Sequence, residues 1–260
     1  MSAVLDTPAP PGPRPAETFG QTLARLGGAQ KGALGAPAYS RFVNRRMGRF
    51  LAAVAYHAGL TPNAVTGISA AFSATGIAVL ALVAPSWPMG VAVAACLVVG
   101  YELDSADGQL ARLTGGGSLS GEWLDHTVDS IKVVAFHLVV LVALQRNFDL
   151  DLRWLLVPLA FAVASSVHFF GMILVDLFRR LRAAEPGGRP AVQPTPSRLT
   201  SLLKIPTDYG VLCLAMVLLG FHGPFLTVYT VLAAAMVGYT ALVLGKWGRD
   251  IAHLERGGRP

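Results

Sequence analysis

Apolar runs of membrane-crossing length recur along almost the whole chain, and this recurrence constrains the fold more than any other feature. A helix needs roughly 20 apolar residues to cross a ~30 Å hydrocarbon core. Six such runs are present: Pro62–Ala84, Pro88–Arg112, Gly121–Leu144, Leu152–Phe178, Leu203–Gly220 and Phe225–Leu244. Hydrophobic residues make up 53% of the chain and charged ones 14%, which is too apolar for an ordinary soluble domain. The expectation is an all-α integral membrane protein with six transmembrane helices. Pro85 and Pro88, Gly115 to Gly117, and Gly223-Pro224 punctuate three connections, and Ala183–Ser197 reads as a loop.

Residues flanking the runs set the rest of the organisation. From Ser40 to His57, Arg41, Arg45 and Arg49 recur at helical spacing. Phe42, Val43, Met47, Phe50 and Leu51 supply an apolar side. That pattern predicts an amphipathic helix lying in the headgroup layer on the cytoplasmic side. Residues 1–39, rich in Pro, Gly and Ala, read as a disordered cytoplasmic tail, 40–250 as one membrane domain, and 251–260 as a C-terminal tail. Cys96 and Cys213 each lie inside an apolar run and read as packing residues.

The net charge of +6 is placed beside the apolar runs, which points to a membrane surface and not to nucleic acid. Arg41, Arg45, Arg46 and Arg49 precede the first run, and Arg112 ends the second. Arg179, Arg180, Arg182, Arg189 and Arg198 follow the fourth, and Lys246, Arg249, Arg256 and Arg259 follow the sixth. The opposite side holds Arg146 and Arg153. Positive residues mark the cytoplasm, so a multi-pass protein of the cell membrane with both termini inside is expected.

Carboxylates at a bilayer are costly, so a cluster of them marks a functional site. Asp104, Asp107, Gly108 and Ala111 fall at i, i+3, i+4 and i+7, one stripe of a helix. Gly121, Asp125 and Asp129 fall at i, i+4 and i+8 on the next helix, and a short glycine-rich turn lets the two stripes face each other. Four carboxylates gathered there repel unless cations lie between them, and such hard oxygen ligands suit Mg²⁺ or Mn²⁺. Gly108 and Ala111 remove bulk where a ligand approaches, and the Arg112 guanidinium suits a diphosphate. Together these point to transfer of a phosphoryl-linked group, with the site opening to the cytoplasm.

The stretch resembles the signature of the CDP-alcohol phosphatidyltransferases, D-x-x-D-G-x-x-A-R-x(8)-G-x-x-x-D-x-x-x-D. It is met without a substitution at Asp104, Asp107, Gly108, Ala111, Arg112, Gly121, Asp125 and Asp129. The six-span layout with an amphipathic N-terminal helix is similar too, so the resemblance covers roughly Ser40 to Leu244. It implies metal-dependent transfer of a substituted phosphate from a CDP-linked donor to an alcohol, with release of CMP. By position, Asp104, Asp107, Asp125 and Asp129 would hold two divalent ions, and Asp129 would act as general base. Gly108, Ala111 and Gly121 would line the cytidine pocket, Arg112 would contact the donor phosphates, and a homodimer is expected.

Other residues are drawn in with less support from the motif. Asn63 and Thr66 open the first run in a Pro-Asn segment that lies beside the nucleotide in similar proteins; Thr61 and Pro62 also read as a helix cap and first turn. Lys204 and Thr207 resemble a Lys-x-x-Thr segment of members that accept a phosphorylated polyol, although Pro206 and Asp208 depart from it. Asp208 either bonds acceptor hydroxyls or caps a helix. Lys132, Arg179 and Arg180 complete the acceptor-binding candidates, while His126, His137 and His168 read as packed or hydrogen-bonded. CDP-diacylglycerol is the expected donor and a phosphorylated polyol the expected acceptor. A soluble CDP-polyol donor with a lipid alcohol acceptor is the alternative. An intramembrane prenyltransferase lacks support, since its Asn-Asp-x-x-Asp element is missing. A divalent-cation transporter would place its acids mid-membrane and not near helix ends.

Overall fold

The structure, a computed structural model, describes residues 17–28, 37–185, 204 and 207–256. Among these residues every regular element is helical. The helices are α1 (Phe19–Gly28), α2 (Arg45–His57, entered through a π-helical turn at Ser40–Asn44), α3 (Pro62–Leu82), α4 (Trp87–Leu113) and α5 (Leu119–Asn147). They continue with α6 (Leu156–Ala184, after a 3₁₀ turn at Leu152–Leu155), α7 (Tyr209–Ala215, running on as a 3₁₀ turn at Met216–Gly220) and α8 (His222–Arg256).

Hydroxyl caps and prolines decide where several helices start. Thr61 accepts a hydrogen bond from the Ala64 amide with Pro62 in the first turn, and Ser86 does the same for Met89 with Pro88 behind it. Ser118 caps α5 through the Gly121 amide at 3.0 Å. Each cap satisfies an amide that the helix itself leaves orphaned.

Five helical stretches are long and apolar enough to cross a membrane: Pro62–Leu82, Trp87–Leu113, Leu119–Asn147, Leu152–Ala184 and His222–His253. They mark a multi-pass membrane protein. The expected fifth run, Leu203–Gly220, is described only in part. Leu203 and Pro206 lie outside the described residues, and the apolar helix that is described, Tyr209–Gly220, is only one of the shorter class. Seven α-helical and five 3₁₀ residues rise about 20 Å, short of a ~30 Å core.

Most of the membrane-depth core lies among α4, α5, α6, α7 and α8, with Leu97, Phe136, Leu144, Met216, Phe225 and Tyr229 almost fully buried. Glycine lets α3 approach α4 closely. A Cβ on Gly100 would stand 2.4 Å from Ser73 Oγ, and Ser69 Oγ donates to the Gly100 carbonyl at 2.8 Å. A second apolar cluster gathers Leu26, Ala52, Ala53, Tyr56, Val65, Ala106, Leu110 and Leu113 from α1 to α4.

The expected disorder of residues 1–39 does not hold for α1, which is helical and buries Thr22 and Leu26. Its apolar spacing, two leucines among glycines, is too short to stand out in the sequence. The remainder of that stretch, residues 1–16 and 29–36, lies outside the described residues, as do most of the Ala183–Ser197 loop and the final four residues.

Candidate active site

The turn between α4 and α5 brings the two aspartate stripes together. Gly115 and Gly116 have φ of 116° and 109°, left-handed values that side chains rarely adopt, and the Gly116 amide bonds back to the Ala111 carbonyl at 2.9 Å. The chain therefore reverses within a few residues of Arg112. α5 then packs against α3 and α6, not closely along α4, so the carboxylates of the two helices reach toward each other from the sides of a gap.

Asp104, Asp125 and Asp129 each present a carboxylate oxygen, all within 4.8 Å of one another. Asp107 stands apart from this trio: its Oδ2 accepts a 2.6 Å hydrogen bond from Thr66 Oγ1 of α3. Lys132 lies among the acids. Its Nζ is 2.7 Å from Asp104 Oδ1 and 2.6 Å from Asp129 Oδ1, and its side chain is 10% exposed. The expectation of an acceptor-binding Lys132 thus meets a competing fact, since this ammonium is already held by two carboxylates.

These residues fit a divalent cation. The donor set is all carboxylate oxygen, which suits hard ions that keep waters and phosphates in their shell. In addition, Asp125 Oδ1 is buried without a hydrogen-bond partner among the described residues, an arrangement that is costly unless something else fills it. One ammonium against four carboxylates leaves a negative site.

Of the residues expected at a nucleotide, Asn63 meets Gly121, and Gly108, Ala111 and Arg112 share one end of α4. A Cβ on Gly121 would lie 3.1 Å from Asn63 Oδ1, so α3 presents Asn63 to the start of α5. A Cβ on Gly108 would meet nothing nearer than Arg112 Nη1 at 3.5 Å, so the Gly108 face of α4 is open. Ala111 is half-buried and Arg112 exposed at the same helix end.

The acceptor candidates are scattered. Arg180 pairs with Glu122 at 2.6 Å and with Asp176 at 2.6 Å, tying the end of α6 to the start of α5. Arg179 pairs with Asp250 of α8 at 2.8 Å. Asp208 caps α7: its Oδ1 accepts from the Gly210 amide and its Oδ2 from the Ser40 amide, each at 3.2 Å. Of the two readings of Asp208, the structure shows the cap. Thr207 Oγ1 donates to the Lys204 carbonyl, and Lys204 Nζ lies 5.7 Å from the Tyr239 ring centroid.

Thr207 and Asp208 do line a cavity of about 130 Å³ between α5, α6, α7 and α8. Phe136, on its α5 wall, is seven residues from Asp129 and so on the same stripe, two turns deeper. The lining is mainly Phe136, Phe161, Phe169, Met172 and Met236. The cavity is not legible in the sequence, because its walls, apolar residues with His137, His168, Thr207 and Asp208 among them, come from four separate helices.

Of the three histidines, His137 is hydrogen-bonded as expected, to Tyr229 Oη at 2.8 Å and Ser165 Oγ at 3.3 Å. His168 stacks on Trp247 with centroids 5.3 Å apart, and His126 packs edge-on to Phe169. The Nδ1 atoms of both are buried without a hydrogen-bond partner among the described residues.

None of the curated proteins matches the chain. A family model does: the one described as CDP-alcohol phosphatidyltransferase covers residues 59–247, most of the chain and all eight motif positions. Motif, helical membrane architecture and family match agree, and the chain belongs to the CDP-alcohol phosphatidyltransferase family.

Proposed function

We propose that this transferase moves a substituted phosphate from CDP-diacylglycerol to a hydroxyl of a phosphorylated polyol and releases CMP, as a step of phospholipid synthesis. The observation that carries the reading is the meeting of Asp104, Asp125 and Asp129 beside the open Gly108 face and Arg112. The acceptor oxygen bonds to the phosphorus of the transferred group as the bond from that phosphorus to the CMP oxygen breaks. Asp129 takes the acceptor proton, its effectiveness coming from position. Arg112 pairs with donor phosphate oxygens, and Gly108, Ala111 and Gly121 leave room for the nucleotide, with Asn63 and Thr66 at its edge. Asp104, Asp107, Asp125 and Asp129 would hold two Mg²⁺ or Mn²⁺ ions; when bound, these neutralise the diphosphate and stabilise the leaving CMP.

In the same reading the apolar run that ends at Gly220 is a sixth crossing, and α2 lies in the headgroup layer. The aspartates open to the cytoplasm, and two copies pair as a homodimer. The basic residues around α2, α6 and the end of α8 support that orientation, and the exposed Phe42, Met47, Phe50 and Val54 support the placing of α2.

One observation favours the alternative pairing, a soluble CDP-polyol donor with a lipid alcohol acceptor. Lys132, Arg179 and Arg180 are all paired with carboxylates, and the cavity on the Asp129 stripe has mainly apolar walls. A phosphorylated acceptor would have to compete for those cations.

The deciding experiment measures CMP release by the protein in lipid vesicles with Mg²⁺ or Mn²⁺. CDP-diacylglycerol is offered with phosphorylated and unphosphorylated polyols, and CDP-polyols with lipid alcohols. Release that needs a phosphorylated polyol, and is lost with a chelator or in Asp129→Asn, supports the first pairing. Release only from CDP-polyols overturns it. Metal uptake into the vesicles without CMP would instead favour a transporter.

A further inference from the structure

α1 lies outside residues 59–247 and has no part in the chemistry described so far. Yet it is anchored to α4, the helix that carries five of the eight motif positions. Phe19, Thr22 and Leu26 fall at i, i+3 and i+7, a single face, and Thr22 and Leu26 are 0% and 1% exposed. Leu26 enters the cluster formed by Ala52, Ala53 and Tyr56 of α2, Val65 of α3, and Ala106, Leu110 and Leu113 of α4.

Polar contacts fix the docking in register. Thr22 Oγ1 lies 3.1 Å from His57 Nε2, and the Phe19 ring packs edge-on to Phe50 with centroids 5.7 Å apart. Both Arg25–Glu17 contacts are 2.7 Å. Arg25 Nη2 also donates to the Leu113 carbonyl at 3.5 Å, one of the carbonyls a helix end leaves without an intrahelical partner. Tyr56 Oη donates to Glu17 Oε2 at 3.4 Å, drawing α2 into the same knot.

This knot grips the last turn of α4 from behind. Leu110 and Leu113 face α1 and α2, while Ala111 and Arg112, on the same turn, face the donor side. Further up, Gln109 Nε2 donates to the Arg45 carbonyl at 3.2 Å, and a Cβ on Gly48 would stand 2.6 Å from Ser105 Oγ. α2 is therefore seated tightly along α4, and α1 closes the open end of that seat. A helix end held only by the α4–α5 glycine turn would fray, because its last carbonyls lack partners and Gly115 and Gly116 are conformationally loose.

We propose that α1 is an intramolecular strap that positions the donor-binding end of α4, with Arg25 and Leu26 as its positioning residues. The proposal rests on the reading that Ala111 and Arg112 face the CDP moiety.

The test uses the full chain in lipid nanodiscs and two ligands: CDP with Mg²⁺, followed by calorimetry, and Mn²⁺ alone, followed by electron paramagnetic resonance. Leu26→Asp places a charge in the apolar cluster and undocks α1. It is expected to weaken CDP binding roughly tenfold while Mn²⁺ binding at the aspartates stays within about twofold, a split that general destabilisation does not produce. Leu26→Met should restore CDP affinity. Should Leu26→Asp not fold, Arg25→Ala is expected to weaken CDP binding in the same selective way, with partial recovery in Arg25→Lys. Unchanged CDP affinity in the folded variants, or parallel loss of both ligands, overturns the strap. Absence of CDP binding by the unaltered protein overturns the donor reading, and the strap with it.

Discussion

The Lys132 ammonium lies 2.7 Å from Asp104 Oδ1, joining α5 to α4 inside the carboxylate cluster, and it reaches Asp129 on its own helix as well. An ammonium so placed offsets part of the repulsion that four acids would otherwise build up at the helix pair. It acts as a resident cation of the site, which changes what its removal should do.

Lys132→Met should therefore destabilise the metal-free protein, by about 3–5 kcal/mol if the two carboxylates are left uncompensated. Divalent metal should recover more stability in this variant than in the unaltered protein, because it then supplies the missing charge. Thermal unfolding in detergent with chelator and with Mg²⁺ checks this; equal metal-induced shifts in both proteins would contradict it.

Asp129→Asn removes a proton acceptor and keeps the side-chain shape. Turnover should fall by roughly 10²–10⁴-fold, the usual contribution of a positioned general base, while CDP binding is largely spared. Single-turnover CMP release beside CDP calorimetry separates the two effects, and near-normal turnover would sink the assignment.

Gly108 offers a way to disturb the proposed nucleotide site without disturbing the fold. A Cβ there meets only Arg112 Nη1, at 3.5 Å. Gly108→Ala should leave the melting temperature unchanged or slightly raised, since alanine favours helix by about 1 kcal/mol. CDP affinity should drop. A melting temperature that falls together with affinity would mean the face is packed and not open.

Thr66 supports Asp107 from α3. Thr66→Val deletes the 2.6 Å hydrogen bond to a buried carboxylate, at a cost of about 1–3 kcal/mol if nothing replaces it. Divalent metal should narrow the gap if Asp107 turns to ligate, so unfolding is compared with and without Mn²⁺. A gap that metal leaves unchanged would argue that Asp107 is a structural carboxylate.

The opposite packing case is Gly48. A Cβ at that position falls 2.6 Å from Ser105 Oγ and 2.8 Å from Gln109 Nε2. Gly48→Val should cost about 1–3 kcal/mol by overpacking the α2–α4 contact. Chemical denaturation in mixed micelles is the check, and an unchanged midpoint would show that α2 is free to move away.

How much of this was legible beforehand depends on the distance over which each feature acts. The aspartate stripes, the glycine turn between them and the cap at Thr61 are local, because helical periodicity and backbone φ depend on neighbours in the chain. The helix starts were read to within a few residues for the same reason. The start of the fifth run lies outside the described residues, and only Tyr209–Gly220 of its apolar helix is seen.

The sequence by itself determined the membrane class, the family and the two carboxylate stripes. Period, apolar length and motif spacing are all short-range quantities. Only the tertiary structure decided which groups those carboxylates meet: Thr66 from α3, Lys132 turned back onto α4, and Asn63 against Gly121. It also decided that Arg179, Arg180 and Asp208 tie helices together and that α1 is docked, through residues that are unremarkable where they stand in the chain. Such pairings are set by how the helices pack, and each partner carries no mark of the other in its own neighbourhood.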